Sequence, residues 1–407
     1  MSTDGRSTDA SDGFDVRSAN FVRLVTRADG DALAASGLVA RALAERGTPF
    51  QLTVGRTVAE RTHRSQAVAD ESAAGRDLTL VVGAVDADVP RLDTTDRPAT
   101  LAAVDLVRGL DVDPDPILAL AGLVAAGVDP GAGESEWILE TAQERGLVER
   151  RPGVAVPTRD PVDGITHSTR LCAPWSGDPD AVRETLESAD VPVDSVTDLD
   201  GDDQRAIGSL VALDAVGTDE ATATAAEAVE RVLRPYATPD GPFETVGGYA
   251  DVLEASARTE PGTGAAFAMG HGAREPTLDA WREHGRNAHD ALSAASTGRY
   301  DGLFVVGVDD GPVETVARIA AAYRSPEPAA LAVGNGEVGL VTRARDPIAA
   351  TVERIARDLA DATLDSSEAG DGSEPTVEYD VGRRRGYLRY DRSLDDSTVI
   401  ETVRGVL

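Results

Sequence analysis

Residues 21–43 read FVRLVTRADGDALAASGLVARAL, and their pattern decides the fold. FVRLVT is a short apolar, β-branched run that predicts a strand, and RADGD is turn chemistry. From Ala32 onward apolar residues recur at helical spacing (Leu33, Val39, Leu43) until Gly47, which is suited to cap a helix C-terminus. TPFQLTV (48–54) predicts a second strand. A strand, a helix and a strand within about 35 residues imply parallel strands joined by a right-handed crossover.

Outward from this unit, LTLVVGAV (78–85) predicts a further buried strand, and DPILALAGLVAAG (115–127) a helix apolar nearly all round, hence buried. Residues 134–236 carry short helical pieces and the acidic, turn-rich stretch DVPVDSVTDLDGDDQ (190–204). A second α/β unit follows. It comprises a helix around YADVLEASAR (249–258), a strand GAAFAM (264–269), a long helix TLDAWREHGRNAHDALSAA (277–295) and a strand GLFVVGV (302–308). Pro312 opens the helix VETVARIAAAYR, because the first turn of a helix does not need that N–H. AALAV and GEVGLVTRA predict paired strands turning at Asn335-Gly336. The helix DPIAATVERIARDLADA, a Gly/Ser/acid loop at 365–375, the strands VEYDV and GYLRYD and a last helix complete the chain. The expected organisation is a disordered tail (1–20), a parallel-sheet α/β domain (21–150), a mostly helical connector (151–240) and a smaller α/β domain (241–407) facing the first across a cleft.

The chain has 407 residues, 71 of them acidic and 39 basic, for a net charge of -32, and every basic residue is Arg. Such a charge repels itself in dilute buffer but is screened in molar salt, where the Debye length is about 3 Å. With 41% apolar residues and clear periodicity, the acidity indicates adaptation to a salt-rich cytosol rather than disorder. One cysteine, Cys172, excludes an intramolecular disulfide and a cysteine-rich zinc site. No apolar run approaches the roughly 20 residues of a membrane span. The expectation is a cytoplasmic protein with no membrane association.

Asp29 and Asp31 fall on the turn after the first strand, at the edge where open parallel sheets place ligands. Two carboxylates so placed can converge on a hard divalent ion, and a metal pair can clamp both the attacking and the leaving oxygen of a phosphoryl group. The stretch resembles the first motif of the DHH-superfamily phosphoesterases, an apolar strand followed by His-x-Asp-x-Asp and a small-residue helix start. Arg27 stands where that family has its His. VDGITHSTRLCAPWSGDP (162–179) is similar to the segment after the central helices of RecJ-like proteins, and GGYADVLEASARTEPGTGAAFAMG (247–270) to the one that opens their associated domain. GEVGLVTRARDPIAATVERIARDLA (336–360) resembles that domain's late strand and helix.

The departures bear on activity. The resemblance implies an Asp-His-His that binds the metal pair or the reacting phosphate, yet no two histidines are adjacent among His63, His167, His271, His284 and His289. The strand resembling a metal-site strand offers Asp86 and Asp88 without His. Where the family has a Gly-Gly-Gly-His loop that grips nucleic acid, this chain has DSSEAGDGSEPTVEYD (365–380). His271 falls too early for that role, and His284 and His289, five apart on a helix, cannot share an ion.

Two readings of the tail cluster stand side by side. Arg383, Arg384 and Arg385, near Tyr387 and Tyr390, can grip phosphate and stack bases, or they form a solvated edge guarding exposed strands. The resemblance therefore implies a catalytically degenerate RecJ-like protein of a salt-adapted archaeon, acting in DNA replication or repair by binding nucleic acid, replisome partners of the GINS type, or both. Archaeal RecJ-like proteins and a DHH-type subunit of the eukaryotic replicative helicase supply that precedent. No cofactor is expected on this reading. The alternative is an active single-strand exonuclease or small-phosphoester hydrolase using manganese or magnesium on Asp29, Asp31, Asp86 and Asp88. A nucleotide-binding fold of another family is disfavoured, because no phosphate-cradling glycine loop follows a strand.

Overall fold

The computed structural model describes residues 16–66, 76–92, 97–193, 199–344, 346–366, 377–392 and 394–407. A 3-10 turn at Val16–Ser18 leads into β1 (Phe21–Arg27), α1 (Gly30–Glu45), β2 (Phe50–Gly55), α2 (Val58–Gln66), β3 (Asp77–Val82), β4 (Arg91–Leu92), α3 (Ala99–Gly109), α4 (Pro116–Ala125) and α5 (Glu136–Glu144). The connector holds β5 (Glu149–Arg150), α6 (Pro161–His167), α7 (Pro179–Ser188), α8 (Gly201–Val216), α9 (Ala223–Glu230) and β6 (Tyr236–Ala237). Then come α10 (Val246–Thr259), α11 (Pro261–Ala268) and α12 (Arg274–Ala294). The last unit is β7 (Ser296–Tyr300), β8 (Leu303–Gly307), α13 (Val313–Tyr323), β9 (Ala329–Gly334), β10 (Glu337–Thr342), α14 (Ala349–Ser366), β11 (Glu378–Val381), β12 (Arg385–Arg389) and α15 (Asp396–Val406).

The chain is a mixed α/β protein with two sheets of size. In the first, ordered β2-β1-β3-β4, every pair is parallel, so the crossover read from residues 21–54 is present. The second is mixed, ordered β11-β12-β10-β9-β8-β7, with β8 and β9 its parallel pair. Asn335 and Gly336 both adopt positive φ, as the expected hairpin between β9 and β10 requires. Residues 367–376, most of the predicted Gly/Ser/acid loop, lie outside the described residues, as do 1–15 of the predicted tail and 194–198 of the acidic stretch. Val16 is already buried in the first core, so packing begins inside the segment expected as a tail.

α1 is buried along almost its whole length because small residues let α3, α4 and α10 close around it. The same core takes in Phe243, Val246, Tyr249, Phe267 and Trp281. Helices beyond 241, expected to open the second domain, thus bury their apolar faces in the first, and the second sheet has its own core from Leu303 onward. One element differs in kind: GAAFAM, expected as a strand, lies in the helix α11. A short apolar run has no period to separate strand from helix, and here Pro261 starts a helix whose small residues dock on α1 beside Gly37.

Candidate nucleic-acid and metal-position cleft

β1 ends at Arg27, and the turn beyond it delivers Asp29 and Asp31 to the carboxyl edge of the parallel sheet, facing the second sheet. Asp29 caps α1: its Oδ1 accepts from the Ala32 N–H at 2.8 Å, the ordinary use of an Asp at a helix start. Its Oδ2 lies 3.0 Å from the Arg27 guanidinium. Asp31 faces α3, accepting from the Ala99 N–H at 2.8 Å and from the Thr100 N–H and hydroxyl at 2.9 and 2.6 Å. Burial, with the Asp29 charge adding, raises its pKa to about 6 against the pull of those donors.

The pair expected to converge on a divalent ion is therefore committed to helix ends and to a cation. Asp86 and Asp88 lie exposed on the loop after β3, where the Asp86 N–H donates to the Thr62 hydroxyl. Among the described residues, no group of three or more His, Cys, Asp or Glu could hold a metal ion. The carboxylates present do not fit a manganese or magnesium centre: a fixed guanidinium sits between them and the other domain, and a cation there opposes a second.

Arg27 is 5% exposed and reaches across the interface. Its Nε donates to Asp380 of β11 at 2.6 Å while Nη2 holds Asp29. Burial works against its charge, yet the two carboxylates keep it firmly protonated. Asp380 also receives Arg61, which is fully buried and donates to the carbonyls of Ala84 and Gly55 at 2.8 and 3.0 Å. Burial would raise the Asp380 pKa, but the two guanidiniums carry it below the usual carboxylate range. Gly382 lets the Arg27 head pass: a Cβ there would stand 2.5 Å from Nη2.

Glu254 of α10 forms a second buried hub. It accepts from the Gly30 N–H at 2.8 Å, Arg258 at 3.0 Å and Arg385 at 2.7 Å. Despite burial, those arginines hold its pKa well below normal. Arg385 also donates to the Ala125 carbonyl at 3.2 Å, tying β12 to the end of α4. The predicted tail cluster is thus divided. Arg385 is an interdomain tie, whereas Arg383 and Arg384 are exposed on the β11–β12 turn and form no ion pair among the described residues.

Tyr387 and Tyr390, expected as stacking platforms, are 1% and 5% exposed. The Tyr387 hydroxyl donates to Glu337 at 2.6 Å, and the Arg56 guanidinium lies 4.1 Å from its ring centre. Both rings point into the sheet's packing, so neither can receive a base. His284 and His289 are also buried. His284 bridges Thr259 and Thr315 at 2.9 Å each, and the His289 Nε2 meets the Ser168 carbonyl at 3.0 Å. His271 is exposed between two helices rather than between a strand and a helix.

Between the two sheets lies a cavity of about 430 Å³ lined by Arg27, Asp29 and Asp31 on one side and by Arg343, Arg383, Arg384 and Arg385 on the other, with Arg231 and Arg318 from the flanking helices. Glu227 supplies the further carboxylate. In a chain of net charge -32, this cleft is locally basic. Asp380, Arg61 and Glu254 went unnoticed in the sequence. An acidic residue in a chain with 71 of them carries no signal until its neighbours are known.

The comparisons with known proteins agree with this architecture. A family model described as "Uncharacterized protein rrnAC1427, C-terminal domain" matches residues 295–405, beginning one residue before β7. Uncharacterized protein rrnAC1427 of Haloarcula marismortui is 44% identical over 370 residues, covering 90% of this chain and 91% of that one. The crystal structure of CDC45 from Entamoeba histolytica superposes with a TM-score of 0.59 at 7% identity over 95% of both chains. A structure of exonuclease RecJ bound to manganese gives a TM-score of 0.45 at 13% identity, over 95% of this chain and 89% of that one. This chain belongs to the family of Haloarcula marismortui rrnAC1427 and has the fold of CDC45.

Proposed function

We propose that this protein is a catalytically silent RecJ-like binding protein of DNA replication or repair, which holds single-stranded nucleic acid in the interdomain cleft and docks replisome proteins of the GINS type. The observation that carries the reading is the Arg27 guanidinium, fixed between Asp29 and Asp380 at the motif position where DHH phosphoesterases have a metal-binding His. A cation built into that position supplies the charge complement of the carboxylates without the open coordination position by which a metal turns a bound water into a nucleophile. Arg383 and Arg384, exposed on the far lip, are suited to phosphates because each guanidinium presents a fork of donors. The CDC45-like fold is compatible with a scaffold that binds partners rather than cutting.

The test uses purified protein in molar potassium chloride with labelled single strands, with and without manganese. Expected are binding without nucleotide release, and severalfold weaker binding for Arg383→Gln with Arg384→Gln. Manganese-dependent release abolished by Asp29→Ala with Asp31→Ala would instead establish the exonuclease reading. Copurification from a native high-salt extract tests the partner: recovery of GINS-type proteins is expected, and their absence from a stoichiometric complex counts against docking.

A further inference from the structure

A second cavity, of about 640 Å³, adjoins the cleft and shares Arg231, Arg318 and Arg385 with it. It lies where the connector meets α4 and α13. Arg150, Arg170 and Arg234 complete its basic lining, against Asp129, Glu227 and Glu230. The arginines are poorly matched by these acids. Arg231 approaches Asp129 at 4.0 Å between two largely exposed side chains. Arg385 is already committed to Glu254.

Arg170 reaches the Val124 carbonyl at 3.5 Å, while its Nε, closed off from solvent, has no hydrogen-bond partner among the described residues. Arg318 donates to the carbonyl and hydroxyl of Thr169, at 3.1 and 2.6 Å, and forms no ion pair among the described residues. Arg150 lies 4.7 Å from the centre of the Tyr236 ring. Arg234 is held at φ 49, a left-handed conformation that a non-glycine residue adopts at a cost, and it borders the cavity.

We propose that this cavity is a binding site for phosphate groups, with Arg170 and Arg318 at its floor and Arg150 and Arg234 at its rim. Six arginines lining one cavity against three carboxylates call for an anion, even with Asp251 acting on both floor arginines and Glu254 on Arg318. Burial depresses both floor arginines, Arg318 to about 10, and their repulsion with Arg385 adds to it, a strain that an anion relieves. Guanidinium forks from four separate segments match a tetrahedral group with several acceptor oxygens. A lone carboxylate would use few of them, and in a cell full of acidic proteins a carboxylate site could not discriminate. Molar salt weakens counterion release, so a recessed, partly dry site is the workable way to hold phosphate there. The phosphate comes from a free polyphosphate-bearing molecule or from a strand lying in the adjoining cleft. The second source rests on the strand-binding reading given above.

The experiment measures binding by the full-length protein in molar potassium chloride. The probes are sodium tripolyphosphate, dT oligomers with and without a 5′-phosphate, and a polyglutamate peptide. Arg150→Gln with Arg234→Gln alters exposed rim residues and leaves the cores untouched. Arg170→Gln with Arg318→Gln alters the floor, and Arg299→Gln, on β7, is the control. Expected are saturable tripolyphosphate binding, about tenfold weaker in the rim variant, weaker still in the floor variant and unchanged in the control.

Tripolyphosphate that binds the rim and floor variants as it binds the parent, or polyglutamate that competes equally, overturns the proposal. If tripolyphosphate binds and no oligomer does, the site stands for a free ligand and the strand reading fails. If oligomers bind and neither variant weakens them, while tripolyphosphate does not bind, the site fails and the strand reading stands. Tighter binding of the 5′-phosphorylated oligomer assigns the cavity to a strand end.

Discussion

Arg27 is held by Asp29 and Asp380, so removing it leaves the buried Asp29 charge without its ion pair, while Asp380 keeps Arg61. Stranding a buried charge costs far more than the intact pair contributes, on the order of 3–5 kcal/mol. Arg27→Ala should lose about that much in denaturant unfolding in molar salt, and Asp29→Asn in the same chain should restore part of it, since Asn still caps α1 and Asp380 keeps Arg61. Arg27→His should not raise the melting temperature when manganese is added, since Asp31 remains engaged by Ala99 and Thr100. His284 makes a second residue-scale prediction. Burial, with repulsion from Arg258 and Arg318, lowers its pKa from 6.5 to about 3. The unfolded chain takes up a proton below about pH 6.5 that the folded chain refuses until about pH 3. Stability is therefore fully present above that window and is lost as pH falls through it, at about 1.4 kcal/mol per pH unit from this group. Unfolding free energies measured from pH 7 to 4 should show that slope, flattened by His284→Gln. A slope unchanged by the substitution would mean that other groups carry it.

At the scale of elements, α1 and α11 show what small residues do. A Cβ at Gly37 would stand 2.6 Å from the Ala268 carbonyl oxygen, so the two helices touch through backbone. Gly37→Ala should cost about 1–3 kcal/mol, because neither backbone can retreat without disturbing the packing of α3 and α4 on the same helix. Gly262, in the first turn of α11, faces open space, and Gly262→Ala should be neutral or stabilising by about 0.5–1 kcal/mol. Chemical denaturation of the two variants side by side checks the contrast. The same contact explains why 264–269 is helical where the sequence predicts a strand. In PGTGAAFAM the residues that make close helix packing possible are those without strong preference for helix or strand. Where periodicity was long, as in 313–324 or 346–362, the helices stand where the sequence puts them.

For the whole molecule, Arg27–Asp380, Arg61–Asp380 and Arg385–Glu254 cross between the two cores. They predict a single cooperative thermal transition in molar salt, split or broadened in Arg27→Ala with Arg385→Ala, as calorimetry would show. Lowering the salt should lower the melting temperature of every variant, because the net charge of -32 is then unscreened. The sequence by itself determined the parallel crossover at 21–54, the paired strands at Asn335-Gly336, the strongly acidic charge and the resemblance that drew attention to Arg27, Asp29 and Asp31. Each rests on local period, turn chemistry or composition, which neighbours in sequence suffice to specify. Only the tertiary structure decided what those side chains do. Asp31 serves α3 because the Ala99 and Thr100 N–H groups arrive from 68 and 69 residues away. Arg27 is neutralised by Asp380, 353 residues distant. Tyr387 and Tyr390 lie inward, and Arg170, Arg231 and Arg318 gather into a basic hollow that a strongly acidic composition concealed. Charge and exposure belong to the surroundings of a group, and those surroundings are assembled from parts of the chain that no local pattern connects.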